Sequence, residues 1–62
     1  MPIMHVTILE GRSQEQKEAF FKGVTEVASQ TLDVPASAVR VILNEVPKEH
    51  FAAGGVPKSK SG

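Results

Sequence analysis

The chain opens Met1-Pro2, and a proline directly behind the initiator is its first chemically unusual residue. Methionine is normally trimmed before proline, which would leave a secondary amine at the terminus. An α-amino group titrates at about 7.7 to 8.0 when unperturbed, and nearby guanidinium charges with an apolar wall would disfavour its protonated form. A neutral amine at pH 7 can take a proton. The plainer reading is that Pro2 starts an edge strand, where proline is tolerated. A retained Met1 would acylate the nitrogen and remove the base.

Only two arginines are present, Arg12 and Arg40. Arg12 falls beside a predicted helix start, where a cation is disfavoured by ~0.3 to 1 kcal/mol, so it does not serve the helix dipole. Its alternative is a solvated turn residue near Glu10. Arg40 is the one charge between Val39 and Asn44, in a segment that reads as a buried strand, and a buried guanidinium requires an anion. That anion is either a neighbour such as Glu45 or a ligand. Arginine's planar fork suits a carboxylate, because it bonds both oxygens. His5 and His50 read as surface or core-edge residues, and Phe20 and Phe21 as core. With no cysteine, no nucleophilic triad spacing, no glycine-rich phosphate loop and no metal-like cluster, neither a metal nor a cofactor is expected.

The elements that must position these groups follow from pattern. Pro2 to Leu9 is rich in β-branched residues, with Met4, Val6 and Ile8 on its more apolar face, which predicts a strand. Ser13 with Gln16 has the form of a capping box, so a helix starts at Gln14. Phe20, Val24, Val27, Ala28 and Leu32 carry it to about Leu32, joined by Ala19 and Phe21, while Lys17, Glu18, Lys22 and Glu26 face water. Asp33-Val34-Pro35 ends it, and Pro35 to Ala38 allows one short turn. Val39 to Val46 is nearly continuous in apolar character, as for a strand buried on both faces. Pro47 closes it, and a small hairpin is expected around His50 to Val56, followed by fraying.

Strand, helix, strand is an α/β unit with parallel strands and a right-handed crossover. Pro2 and Arg12 then lie at opposite ends of the first strand, about 25 Å apart. They cannot share a small substrate within one subunit. A two-fold pair with antiparallel first strands would bring Arg12 of one chain toward Pro2 of the other.

Sixty-two residues allow one domain, residues 1–62. Apolar burial contributes on the order of 85 kcal/mol against ~90 for ordering the chain, so the monomer is marginal and self-association is the remaining staple. Bare sheet edges argue the same way. Seven basic and seven acidic residues give zero formal net charge, which supplies no broad field for nucleic acid or anionic membrane. No apolar run is long enough to span a bilayer and no signal peptide is evident, so a cytoplasmic location is expected.

Met1-Pro2-Ile3, Ile8-Leu9-Glu10-Gly11-Arg12-Ser13, Gln16-Lys17, Val39-Arg40-Val41-Ile42 and Lys48-Glu49-His50-Phe51 through Gly54-Gly55 together resemble the 4-oxalocrotonate tautomerase family over nearly the whole length. The resemblance implies βαβ subunits that dimerise into a four-stranded sheet, and hexamers built from three dimers. It implies a cofactor-independent isomerase acting on unsaturated 2-oxo acids such as 2-hydroxymuconate, in the catabolism of aromatic hydrocarbons. Carried over, Pro2 is the general base and Arg40 binds the 2-oxo group and its carboxylate. Arg12 holds the distal carboxylate, Phe51 supplies the apolar wall, and the Leu9 amide binds substrate through water. Departures at Met4, His5, Thr7, Pro47, Ala52 and after Gly55 bear on substrate choice. The competing reading is a non-enzymatic oligomeric module that binds small anionic metabolites with the same arginines.

Overall fold

The computed structural model describes residues 1–61. Strand β1 (Ile3–Leu9) leads through a short loop into helix α1 (Gln14–Leu32), a 3-10 turn at Ala36–Ala38, and strand β2 (Arg40–Val46). The strands are parallel and in register from Ile3 opposite Arg40 to Leu9 opposite Val46. The ladder is extended at both ends, by Arg40 N–H to the Pro2 carbonyl at 3.0 Å and by Glu10 N–H to the Val46 carbonyl at 3.0 Å. The expected βαβ unit is present, and α1 runs back across one face of the sheet from the Leu9 end to the Pro2 end.

Helix α1 begins where its capping box begins. The Gln16 N–H donates to the Ser13 hydroxyl at 3.1 Å, and the Ser13 N–H donates to Gln16 Oε1 at 3.0 Å, so two otherwise orphaned donors are satisfied reciprocally. It ends at Asp33, held in the left-handed region at φ 56° with its N–H on the Ser29 carbonyl. The Ser29 hydroxyl also donates to the Val34 carbonyl at 2.6 Å. Pro35 follows, fixing extended backbone into the 3-10 turn.

Burial alternates along both strands. Met4, Val6 and Ile8 of β1 and Val41 and Leu43 of β2 are half-buried under α1, while Ile3, His5, Thr7, Arg40, Ile42 and Asn44 on the other face are exposed. The expectation that β2 is buried on both faces is therefore corrected: within one chain nothing covers the second face. The expected helical stripe is likewise only partly covered. Phe21, Val24 and Ala28 face the sheet, but Val27 and Leu32 remain 61% and 58% exposed and Phe20 38%. One two-stranded sheet is too narrow for a stripe of that width. Lys17, expected to face water, instead lies at the spacing of Phe21, Val24 and Ala28 on the inward side.

Beyond β2 a 3-10 turn (Lys48–His50) precedes a hairpin of strands β3 (Ala52–Ala53) and β4 (Val56–Pro57). Gly54 and Gly55 both take positive φ, 61° and 83°, as a two-residue hairpin loop of right-handed twist requires. The hairpin is shifted from its expected place, since His50 belongs to the 3-10 turn. The tail does not fray at once: Lys58–Ser61 forms helix α2, and the Lys58 N–H donates to the Phe51 carbonyl at 2.7 Å.

The result is an open shape of 42 × 24 × 14 Å with a radius of gyration of 14.6 Å, where about 10.6 Å is usual for this length. Its surface of 4719 Å² exceeds the ~3,900 Å² of a compact protein of this mass. Among the described residues only Ala28 and Val39 are buried, and no helix is long and apolar enough to cross a membrane.

Candidate active site

The candidate residues fall at two ends of the sheet. Where both strands begin, Pro2 and Arg40 are neighbours joined by the 3.0 Å backbone hydrogen bond. Arg40 emerges just after buried Val39, at the point where the 3-10 turn straightens into β2. Its guanidinium is exposed and donates through Nη1 to the Ser37 carbonyl at 2.5 Å. The expectation that it is buried is corrected, and of the anions left open to it Glu45 is not the one. Five positions along a strand place the two residues on opposite faces, and Glu45 pairs with Lys17 Nζ at 2.8 Å instead. One carbonyl takes a donor of exposed Arg40, and no carboxylate pairs with it among the described residues.

Where both strands finish, Gly11 turns the chain at φ 120°, a conformation strained for any residue with a Cβ. Arg12 follows, exposed and without an ion-pair partner among the described residues. It rims a cleft of about 270 Å³ between the first turns of α1 and the sheet, with Gln16 and Lys17 beside it and Val6, Ile8, Phe20 and Leu43 forming the walls. Because Glu45 neutralises Lys17, Arg12 is the uncompensated cation of this cleft. An apolar body with an anionic end fits such a lining. Leu9 is half-buried at the end of β1, near Arg12 in sequence, and does not line the cleft.

Phe51 is 45% exposed at the base of the hairpin, with its N–H on the Lys48 carbonyl at 3.3 Å. No ring contact or hydrogen bond joins it to Pro2, Arg12 or Arg40 among the described residues. The chain thus brings Pro2 and Arg40 together and places Arg12 at the other end of the sheet. His5 lies on the uncovered sheet face and His50 is exposed in its turn. Among the described residues no group of three or more His, Asp or Glu side chains converges to hold a metal. The Lys17–Glu45 pair escaped sequence reasoning. The available signal was a lysine on the same helical stripe as Phe21, Val24 and Ala28. A second, shallow groove lined by Met4, Val24, Val27, Ala28 and Leu32 runs along α1.

A parallel βαβ unit with a trailing hairpin, carrying a penultimate proline beside an arginine, defines a class that sequence comparison identifies. The family model described as tautomerase enzyme matches residues 2–61. The chain belongs to the tautomerase family and is an isomerase of that kind. A 2-hydroxymuconate tautomerase of Pseudomonas putida is 55% identical over 60 residues, spanning 97% of this chain and 95% of its own. Among solved structures, a heterohexameric 4-oxalocrotonate tautomerase from Chloroflexus aurantiacus J-10-fl matches with a TM-score of 0.92 at 38% identity, covering 97% of each chain. A 4-oxalocrotonate tautomerase isozyme from Methylibium petroleiphilum gives 0.93 at 38% identity, covering 97% of this chain and 94% of its own.

Proposed function

We propose that the chain, residues 1–62 acting as one domain, isomerises 2-hydroxymuconate-like dienols with Pro2 as base once Met1 is removed. The observation that carries this reading is the adjacency of Pro2 and Arg40 at one end of the sheet, in a chain similar along its length to 2-hydroxymuconate tautomerases. The neutral proline nitrogen takes the proton of the 2-hydroxyl. The oxygen's electron pair forms the 2-oxo group, the double bonds shift along the chain, and C5 takes the proton back from the ammonium. Nothing is gained or lost overall. Arg40 binds the 2-oxo group and its carboxylate and stabilises the charge that develops there. Arg12 binds the distal carboxylate, with Phe51 as apolar wall and the Leu9 amide as a water-mediated contact.

The half-sites belong to different copies. Antiparallel pairing of β1 edges forms a dimer with a four-stranded sheet, and three dimers form a hexamer. The excess surface, the exposed Ile3 and Ile42 and the groove along α1 support assembly, as does a heterohexameric relative. The test uses protein shown by mass spectrometry to lack Met1, assayed with 2-hydroxymuconate and with its mono-acid analogue lacking the distal carboxylate. The dicarboxylate is expected to be converted with the higher kcat/KM. Equal values would return Arg12 to the role of a solvated turn residue, and no dienol conversion at all would end the proposal.

A further inference from the structure

The reaction above leaves one charged pair unused: Lys17 Nζ to Glu45 Oε1 at 2.8 Å, with the side chains 19% and 34% exposed. Lys17 stands where a lysine is locally unwelcome. It lies one turn into α1, near the positive end of the helix dipole, and on the inward stripe of Phe21, Val24 and Ala28.

Its connections explain the placement. Glu45 lies opposite Ile8 in the ladder, so the pair ties the helix start to β2 at the level of the cleft. The Lys17 backbone N–H donates to the Ser13 carbonyl at 3.1 Å, and the capping box closes the same turn. Arg12 immediately precedes Ser13. The other end of its loop is held by the Glu10 N–H on the Val46 carbonyl. Arg12 is therefore carried on a short span whose two ends are both fixed to consecutive residues of β2, Val46 directly and Glu45 through Lys17.

We propose that the Lys17–Glu45 pair is a positioning strut for Arg12, holding its guanidinium at the cleft where the substrate's far carboxylate arrives. This rests on the reading of Arg12 as the group that binds that carboxylate. Glu45 also neutralises Lys17, so the cleft presents one net positive charge to one carboxylate.

Lys17→Met keeps an unbranched stem and good helix propensity while removing the charge, and Lys17→Arg keeps a partner for Glu45. With Met1-free protein, Lys17→Met is expected to raise KM for 2-hydroxymuconate about five- to tenfold with little change in kcat, leaving KM for the mono-acid analogue nearly unmoved. Lys17→Arg is expected to recover most of the loss. Glu45→Gln approaches the pair from the sheet and is expected to act like Lys17→Met. An unchanged KM for the dicarboxylate, or proportional losses on both substrates as a merely structural role would give, overturns the strut. So does a lowered KM in Glu45→Gln, which would mean that the freed lysine binds the carboxylate itself. Arg12→Ala, run alongside, separates the two readings. If it leaves the preference for the dicarboxylate intact, the reading of Arg12 falls and the strut with it. If it abolishes the preference while Lys17→Met does not, the strut alone falls.

Discussion

At the end of the sheet where both strands begin, Pro2 and Arg40 are held together by a single backbone hydrogen bond, and α1 finishes nearby in a left-handed Asp33 with no basic residue in its last turn. At the opposite end Arg12 is carried on a loop fixed by Glu10–Val46, a reciprocal capping box and the Lys17–Glu45 pair. The two ends are separated by the length of β1, about 20 Å at the usual rise of a strand. The difference teaches a division of labour. One end holds the groups proposed to move a proton, and the other presents Arg12 at the rim of an apolar cleft. A small dicarboxylate spans neither β1 nor the sheet, so the two ends act together only when different copies of the chain bring them together.

The sharpest way to break this comparison is to disable the proton-moving end alone. A short N-terminal extension that retains Met1 converts the proline nitrogen into an amide, and kcat/KM for 2-hydroxymuconate is expected to fall by about 10²–10⁴, the usual contribution of a positioned base. Binding of a non-reacting dicarboxylate at the Arg12 end should survive. A full rate in the extended protein would remove Pro2 from the reaction.

Complementation between copies is the next largest effect. Pro2→Ala chains supply an intact Arg12 and Arg12→Ala chains an intact Pro2. Mixing the two after dissociation and reassembly is expected to regenerate about a quarter of the sites, if each site draws the two residues from different chains at random. Activity of the mixture no higher than the mean of its components would mean that Pro2 and Arg12 do not need separate copies. Sedimentation should show an oligomer throughout, and a folded, active monomer would contradict the assembly itself.

The arginines then distinguish the ends by kinetic signature. Arg40→Ala is expected to lower kcat by roughly 10²–10³, because its contact strengthens as charge develops on the oxygen. Arg12→Ala is expected to raise KM about tenfold while changing kcat little, since the far carboxylate does not change along the reaction. Exchanged signatures would reverse the assignment of the two ends.

Much of this arrangement was legible in the chain. The Ser13–Gln16 box, the stop at Asp33-Val34-Pro35 and the β-branched runs located β1, α1 and β2, because each depends on neighbours within a turn or two. Long-range pairing was less visible. Glu45 was available to either Arg40 or Lys17 on charge alone, and strand alternation decided it by sending Arg40 to the uncovered face. The width of the apolar stripe through Val27 and Leu32 was legible, but not that a single chain leaves those residues exposed. That surplus is what the proposed assembly would cover. The helical turn at Lys58–Ser61 went unseen because its start depends on a bond from Lys58 N–H to the Phe51 carbonyl, across the hairpin rather than along the chain.

The smallest effects test why the ends of α1 are finished so differently. At the Arg12 end, Ser13→Ala removes the acceptor of the Gln16 N–H and is expected to cost about 1 kcal/mol. At the Arg40 end, Asp33 holds φ 56° with a carboxylate beside the negative end of the helix. Glycine would relieve the left-handed strain and remove a charge that the dipole disfavours by ~0.3–1 kcal/mol. The more flexible unfolded chain would offset ~0.4–1 kcal/mol of that relief. A net gain of about 0.5 kcal/mol is expected for Asp33→Gly, read from urea midpoints at one protein concentration because assembly couples to folding. Opposite signs for the two variants would establish that α1 is optimised where it carries Arg12 and left unoptimised where it passes Arg40. A loss of stability in Asp33→Gly would mean instead that the Asp33 carboxylate gains a partner in the assembled protein, and the Arg40 end would then be the second tied end.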